Sequence, residues 1–161
     1  MLASVVSGLV GGFIGAGVMS AGHAVLSRIG GNGAARAANE AGEEDATIKV
    51  AQRLSQAARH RPLDASEKAI AADVVHYGFG ALMGLLYGLI APVMPVVTVG
   101  AGAIFGAAVW LGAHATIVPA LGLARSPLRQ PLTSEAREFV LHLAYGMTVG
   151  LVQHVVVSIS R

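Results

Sequence analysis

The chain has 161 residues, of which 54% are hydrophobic and 12% are charged, with a formal net charge of +2. Soluble domains carry about a quarter charged residues, so this composition argues against an ordinary soluble domain. The chain contains no cysteine, which excludes disulfide bonds, thiolate metal sites and covalently attached c-type haem. Its basic residues form no cluster interleaved with aromatic residues, so nothing indicates a nucleic-acid partner.

The charged residues are segregated along the chain. No Asp, Glu, Lys or Arg occurs in residues 1–27, 74–124 or 139–160. Since a bilayer-spanning helix needs about 20 apolar residues, the first and last segments each fit one span. The middle segment fits two spans joined by a turn at Pro92 and Pro95. The sequence therefore predicts an all-α protein with transmembrane helices at about 3–28, 70–92, 97–122 and 137–159.

The first predicted helix carries two stripes of small residues. One stripe comprises Gly8, Gly12, Ala16 and Ser20, and the other comprises Gly11, Gly15, Met19 and His23. Small residues every four positions let helix backbones approach closely within lipid. A cleaved signal peptide is the alternative, but the first basic residue is Arg28 and the apolar segment is long, which favours a membrane span.

A polar insert, residues 29–66, separates the first two predicted spans. Glycines at 30, 31 and 33 are expected to end the first helix, and the Ala- and Glu-rich segment from 34 to 45 is expected to be flexible. Residues 45–59 predict an amphipathic helix that either covers the end of the spans or lies on anionic lipid. Asp64 and Glu67 have the spacing of a capping box, which predicts the start of the next helix.

A histidine followed by glycines at four-residue intervals marks the second and fourth predicted helices, and in the fourth helix the series ends on a second histidine. The second contains His76, Gly80, Gly84 and Gly88, and the fourth contains His142, Gly146, Gly150 and His154. This spacing places each set on one stripe of its helix. Tyr77 and Tyr145 lie beside these histidines and are expected near the membrane interface.

The third predicted helix has a comparable stripe, formed by Gly102, Gly106, Trp110 and His114. Pro119 is expected to kink or end this helix. Thr133 or Ser134 is predicted to cap the fourth helix, with Glu135 and Glu138 in its first turns. Nine glycines are predicted to form helix contacts: Gly11, Gly15, Gly80, Gly84, Gly88, Gly102, Gly106, Gly146 and Gly150.

Similar patterns predict two copies of one helix hairpin. An offset of 91 residues matches Gly11, Gly15 and His23 with Gly102, Gly106 and His114, and an offset of 66 matches His76, Gly80 and Gly84 with His142, Gly146 and Gly150. Copies of a two-span unit have the same orientation, so an axis along the membrane normal should relate them. The expected fold is a four-transmembrane-helix bundle of two duplicated hairpins, with an amphipathic helix in the first loop.

Ten of the eleven Lys and Arg residues lie in or beside the two hairpin loops, and only Arg161 lies at the opposite side. Cytoplasmic loops carry an excess of basic residues. Both loops, and the amphipathic helix, are therefore predicted to be cytoplasmic, with both termini in the periplasm.

Four histidines are expected in the cytoplasmic half of the protein: His23, His76, His114 and His142. Asp73 and Glu138 precede two of them by about one helical turn and can orient or charge them. Hydrogen bonding between helices is the favoured interpretation, and no cofactor or metal is predicted. The alternative is a site for haem b, a divalent metal or protons.

Three segments carry a resemblance to a known family: HYGFGALMGLLYGLIAP, GAIFGAAVWLGAHATIVPALGL and SEAREFVLHLAYGMTVGL. They resemble the YagU-like family of small bacterial inner-membrane proteins, a domain of unknown function. The resemblance covers the second to fourth predicted helices and, loosely, the first. It implies a bacterial inner-membrane location and supplies no reaction, cofactor or catalytic residue.

No motif of a known reaction is found, so the chain is not predicted to be an enzyme. The sequence favours a small accessory or structural subunit, or a homo-oligomer, assembled in the bilayer through glycine-rich helix faces. The alternative function is that of a haem b electron carrier or a small transporter, which would use the histidines.

Overall fold

The computed structural model describes residues 2–29 and 44–160, which contain helices and no strand. The expected helix end at residues 30–33, and most of the segment predicted to be flexible, lie outside the described residues. Five main helices lie in the described residues: α1 (Leu2–Ile29), α2 (Ala46–Arg59), α3 (Ala65–Ile90), α4 (Pro95–Ala120) and α5 (Leu132–Ile159). A short 3₁₀ helix, Pro127–Arg129, precedes α5. All the main helices but α2 are long and apolar enough to cross a membrane, which fits a multi-pass membrane protein.

Helices α1 and α5 are the central elements of the fold. Helix α1 packs against both α3 and α5, and α5 packs against both α1 and α4. The rings of Tyr87 on α3 and Phe105 on α4 are 5.0 Å apart and connect the two outer helices. Tyr87, Phe105, Tyr145 and Val149 are all buried in this core. Helix α3 is the least buried of the four spans.

Glycines allow two of the helix pairs to meet backbone to backbone. A Cβ atom added to Gly84 of α3 would lie 2.6 Å from the Cα of Gly12 on α1. A Cβ atom added to Gly146 of α5 would lie 2.7 Å from the Cα of Gly106 on α4. No side chain fits at such distances, so both contacts require glycine.

The contacts of the two pairs correspond at an offset of 90 residues, not 91. Gly12 lies against Gly80 and Gly84, and Gly102 lies against Gly146 and Gly150. Gly12 therefore occupies the place that corresponds to Gly102. The glycines matched by the sequence offset, Gly11 and Gly15, instead contact Val149 and Tyr145 of α5. In this register His23 is not the counterpart of His114.

Helix α4 is irregular at both ends. Its first part, Pro95–Gly102, is a 3₁₀ segment interrupted by non-helical backbone, with φ values of 63° at Gly100, 57° at Ala101 and 99° at Gly102. Its later part, Trp110–Ile117, is π-helical. Non-helical backbone at membrane depth is tolerated where it is buried in protein or lines a cavity, which makes both segments relevant to function.

Helix α2 lies at the end of the spans where the two long loops are found. It packs against α3, and its Arg53 Nη2 donates a hydrogen bond to the carbonyl of Leu121 beyond α4, at 3.2 Å. Ser55 Oγ donates to the carbonyl of Arg61 at 2.9 Å and is buried. Asp45 caps the first turn by accepting from Thr47 N at 2.7 Å. The helix thereby covers the loop end of α3.

The predicted capping box at the start of α3 is confirmed. The Asp64 carboxylate accepts hydrogen bonds from the backbone N–H groups of Ser66 and Glu67, both at 2.9 Å, and the Glu67 carboxylate accepts from Asp64 N at 3.1 Å. Hydrogen bonds, first of all from the Ser66 hydroxyl, hold the pKa of Asp64 below its ordinary value. The charged carboxylate therefore stabilises this helix start.

The predicted cap of α5 by Thr133 or Ser134 is wrong. The helix begins at Leu132, directly after Pro131, and no side chain caps it. Ser134 N and Glu135 N instead donate to the Pro131 carbonyl, at 2.9 and 3.2 Å. Proline just before a helix fixes φ near its helical value, so α5 starts early enough to place both hydroxyl residues inside its first turn.

Candidate functional site

Ionisable side chains from all four spans gather at the loop end. We name them the acid–histidine cluster: His23 on α1, His76 on α3, His114 on α4, and Glu135, Glu138 and His142 on α5. The residues of α5 recur at i, i+3 and i+7, which places them on one face of that helix. The structure thus brings together the four histidines singled out in the sequence.

Two contacts between an acid and a histidine join different helices. His23 Nδ1 of α1 lies 3.6 Å from Glu138 Oε1 of α5, and His114 Nε2 of α4 lies 3.2 Å from Glu135 Oε2 of α5. The Glu135 side chain is only 12% exposed and that of Glu138 is 28% exposed. Helix α5 therefore supplies a carboxylate to each of its two neighbours.

The other two histidines hydrogen-bond to backbone carbonyls. His142 is buried, and its Nδ1 donates to the Glu138 carbonyl at 2.7 Å, whereas His76 Nε2 donates to the Ala16 carbonyl of α1 at 3.1 Å. A carbonyl oxygen can only accept, so these ring nitrogens carry the hydrogen. In each neutral imidazole the opposite ring nitrogen is then free to accept a proton. The rings of His142 and His114 are 5.6 Å apart.

The acids are placed differently from the expected arrangement. Asp73 is exposed, and its carboxylate has no hydrogen bond or ion pair with any described residue. Glu138 meets His142 only through its backbone carbonyl, because its carboxylate is directed to His23. Glu135 was missed as a partner. Its seven-residue separation from His142 was visible in the sequence and indicates a shared helix face.

Trp110 lies beside the cluster, in the π-helical part of α4. Its ring stacks on His114 with centroids 6.1 Å apart and meets Phe139 edge-on at 5.1 Å. Within the described part of the chain, its Nε1 is the one buried side-chain nitrogen or oxygen without a hydrogen-bond partner. An unsatisfied buried N–H is costly. The Trp110 side chain is therefore held in place by its ring contacts and not by a hydrogen bond.

A cavity of about 80 Å³ lies between His76 and His142; we name it the loop-end cavity. Tyr145 also lines it, and its hydroxyl donates to the Gly80 carbonyl at 2.6 Å. Tyr145 is thus buried in the core, with its hydroxyl bonded inside the protein. Because one water needs about 10–15 Å³ of such volume, the cavity has room for a few waters.

The described residues of the cluster do not have the arrangement of a three-ligand metal site. Across residues 2–29 and 44–160, no three His, Asp or Glu side chains form a group that could hold a metal ion. A cofactor-sized ligand needs about 300–1,000 Å³, well above the volume of the loop-end cavity. The His114 imidazole and the Glu135 carboxylate, 3.2 Å apart, are close enough to exchange a proton.

A second, larger opening lies at the opposite end of the spans; we name it the terminal crevice. It has a volume of about 560 Å³ and is lined by Ser4, Tyr87, Thr98, Gln153 and His154, among others. Gln153 is buried, and its Nε2 lies 3.5 Å from the Ser4 carbonyl. His154 therefore faces this crevice, far from the acid–histidine cluster.

No curated protein and no solved structure is significantly similar to the chain. One family matches residues 48–151, which is more than half of the chain and includes α3, α4, most of α2 and two thirds of α5. The chain belongs to this family, which is described as a protein of unknown function (DUF1440).

Proposed function

We propose that this chain is a multi-pass inner-membrane protein whose acid–histidine cluster binds and releases protons. The observation that carries the proposal is the pair of contacts, His23–Glu138 and His114–Glu135, which join helices at the loop ends of the spans, next to long uncharged segments. Ionisable side chains within membrane spans are rare and usually mark ion or proton pathways. Each contact joins an imidazole to a carboxylate, two groups that bind and release protons, and the His114–Glu135 pair is within hydrogen-bonding distance at 3.2 Å.

Infrared difference spectroscopy on the purified protein in lipid nanodiscs tests this proposal. Acidification from about pH 8 to pH 4 should produce the carbonyl band of protonated Glu side chains. Glu135→Gln and Glu138→Gln should each remove part of that band. The matched control is Asp73→Asn, because Asp73 lies on α3 near the same end but is exposed and outside the cluster.

The double variant with both Gln substitutions gives the decisive result. If its carboxyl band on acidification equals that of the wild-type protein, the cluster does not take up the protons and the proposal fails. The histidines can be followed in the same samples by imidazole ring modes. Binding of haem or metal would favour the alternative site, and a visible spectrum with metal analysis of the same preparation detects either.

We also propose the finer points of topology and ancestry. The basic residues of both loops support a cytoplasmic position for the loops and α2, with both termini in the periplasm. The resemblance to the YagU-like family supports the bacterial inner membrane, and the matching glycine contacts of the two helix pairs support a duplicated hairpin. Reporter fusions after residues 40 and 130 should give a cytoplasmic signal, and a fusion at residue 161 a periplasmic one.

A role as an accessory subunit or homo-oligomer is the second candidate. The predicted glycine contacts all lie within the chain, so they do not supply an assembly surface. The observation that favours assembly is the exposed face of α3, where Gly78 has open space around it and Ile70, Val74 and Leu82 are exposed. A Gly78→Leu variant that loses an oligomer seen by native mass spectrometry would support this second role, and a monomeric wild-type protein would contradict it.

A further inference from the structure

The loop-end cavity and the terminal crevice lie on opposite sides of one tightly packed layer. We name this layer the glycine waist: Gly8, Gly12, Gly84, Gly106 and Gly146. Helices that cross at glycines move apart on both sides of the crossing point. The gap between them is filled only where large side chains lie. The two cavities are the spaces left on either side.

The waist is tightly packed. Val149 and Tyr87 are almost fully buried at this level, with relative exposures of 0% and 1%. Between the residues of α5 that line the two openings, Tyr145 and Gly150, there are five residue steps, or about 7.5 Å along the helix. A proton moves by transfer between hydrogen-bonding groups and needs no open channel across such a short distance.

Polar side chains line this route from one end of α5 to the other. His142 and Tyr145 face the loop-end cavity, and Gln153 and His154 face the terminal crevice. The hydroxyl of Tyr87 lies where the crevice meets the waist, since a Cβ atom on Gly150, which lines the crevice, would be 3.0 Å from it. These groups stand in a span that has no charged residue after position 138.

We propose that the loop-end cavity and the terminal crevice are the two halves of one transmembrane proton path, interrupted at Tyr87 and Tyr145. This inference rests on the proposed function, because the acid–histidine cluster is the loop-end terminus of the path. A proton enters the water of the crevice beside His154 and crosses the waist through water and the tyrosine hydroxyls, each of which accepts one proton and gives up its own. For this the Tyr145 hydroxyl turns away from the Gly80 carbonyl. The free ring nitrogen of His142 or His76 accepts the proton. The cluster then releases it.

One net proton crosses in this sequence, and the Tyr145 hydroxyl turns back to the Gly80 carbonyl before the next transfer. The titratable groups that face the histidines of the cavity come from every neighbouring helix: His23 on α1, His114 on α4, and Glu135 and Glu138 on α5, with Asp45 beside α2 acting on His23 at longer range. Acidification on the loop side should therefore fill the cluster with protons and slow release in that direction.

Proton flux into liposomes tests the path with the full chain. Vesicles holding the reconstituted protein and a trapped pH dye receive a potassium diffusion potential through valinomycin. The wild-type protein should acidify the vesicle interior well above protein-free vesicles. Tyr145→Phe and His142→Gln should lower the initial rate about tenfold or more, since a positioned acid–base group typically contributes at least 100-fold to proton transfer.

Matched variants separate the path from general damage. Tyr77→Phe is the tyrosine control, because Tyr77 packs on Phe13 and lines neither opening. His60→Gln, in the loop after α2, is the histidine control. If Tyr145→Phe fails to fold, Tyr87→Phe tests the same barrier. Equal flux in wild-type and protein-free vesicles, or a rate as high in the waist variants as in Tyr77→Phe, would overturn the inference.

The two proposals can fail separately. Wild-type protein that shows the Glu135 and Glu138 carboxyl band but no proton flux would retain the proton-binding cluster and exclude the path. A missing carboxyl band would overturn the proposed function itself. Hydration of the crevice can be measured independently, because the chain has no native cysteine. Thr98→Cys should react with a membrane-impermeant maleimide, whereas a wild-type-like lack of labelling would contradict a water-filled crevice.

Discussion

The helix pairs α1–α3 and α4–α5 pack by the same contact but differ in the regularity of their backbones. In both pairs glycines bring two backbones together, Gly12 against Gly84 in one and Gly106 against Gly146 in the other. Helix α1 is helical from Leu2 to Ile29. Helix α4 is interrupted near its start and is π-helical near its end.

The two irregular segments of α4 lie where this helix borders the terminal crevice and the acid–histidine cluster. The left-handed backbone at Gly100–Gly102 lets the carbonyl of Ala101 lie against Gly150 and places Ala101 in the lining of the terminal crevice. The π-helical segment contains Trp110 and His114, which border the acid–histidine cluster. The α4–α5 pair thus contributes to the terminal crevice and to the acid–histidine cluster. Its π-helical segment is of a kind that is frequent at functional sites.

The largest expected effect comes from filling the glycine contacts. Gly84→Leu and Gly150→Leu should each prevent accumulation of folded protein, because the new Cβ would lie 2.6 Å from the Gly12 Cα or 2.7 Å from the Ala101 carbonyl carbon. Overpacking normally costs about 1–3 kcal/mol, and here the opposing atoms are backbone and cannot rotate away. Yield of monodisperse protein after detergent extraction is the measurement.

Gly78→Leu and Gly112→Leu are the controls for these substitutions, since a Cβ at either position meets nothing within 4 Å. Both should accumulate as folded protein, whether or not Gly78→Leu changes the oligomeric state. If Gly150→Leu were tolerated and Gly84→Leu were not, the α4–α5 pair would accommodate a larger side chain better than the α1–α3 pair. Equal yields for all four variants would contradict close packing in either pair.

A smaller effect is expected at the helix starts, which also differ between the pairs. Asp64→Ala should lower the melting temperature by a few degrees, because α3 loses its cap, whereas Ser134→Ala should be nearly silent, because no side chain caps α5. Thermal unfolding of both variants in one detergent gives the comparison. A larger loss for Ser134→Ala would mean that its hydroxyl stabilises α5.

The effect of Asp64 should depend on pH in a defined direction. Its pKa is held below the ordinary value of 3.8, so the charged cap stabilises the fold above the unfolded-state pKa. This contribution is lost as the pH falls through the lowered folded-state value. The difference in melting temperature between wild type and Asp64→Ala should therefore be full near pH 6 and shrink towards about pH 3. A difference that grows on acidification would contradict the cap.

The sequence predicted the elements well because their signals are local. Uncharged segments indicated the four apolar helices, and Asp64 and Glu67 indicated the start of α3. The partners of the acids depend on which helices become neighbours. Glu135 pairs with His114, 21 positions away, and the break at Gly100–Gly102 follows from the fit against α5. Neither is encoded in the spacing of one segment.

A modest gain in stability is expected at the backbone break. Ala101 has φ 57°, a left-handed conformation that costs a residue with a side chain about 1–2 kcal/mol. Glycine avoids this cost, but its greater freedom in the unfolded chain lowers the free energy of unfolding by about 0.4–1 kcal/mol. Ala101→Gly should therefore raise the free energy of unfolding by about 0.5–1 kcal/mol. Ala103→Gly, at a helical position two residues later, should lower it by about as much. A loss in both variants would show that the left-handed turn is not strained.

The smallest effect is expected at Trp110, beside the cluster on the irregular helix. Trp110→Phe keeps an aromatic ring between His114 and Phe139 and removes the buried Nε1–H, which has no partner among the described residues. The loss of ring contacts and the removal of an unsatisfied donor, each about 1–3 kcal/mol, should nearly cancel. Tyr145→Phe removes a hydroxyl that does have an acceptor, the Gly80 carbonyl, and should cost about 0.6–1.7 kcal/mol. Unfolding of both variants in mixed micelles measures the two changes, and a cost for Trp110→Phe equal to that of Tyr145→Phe would mean that the indole has a hydrogen-bond partner in the membrane-embedded protein.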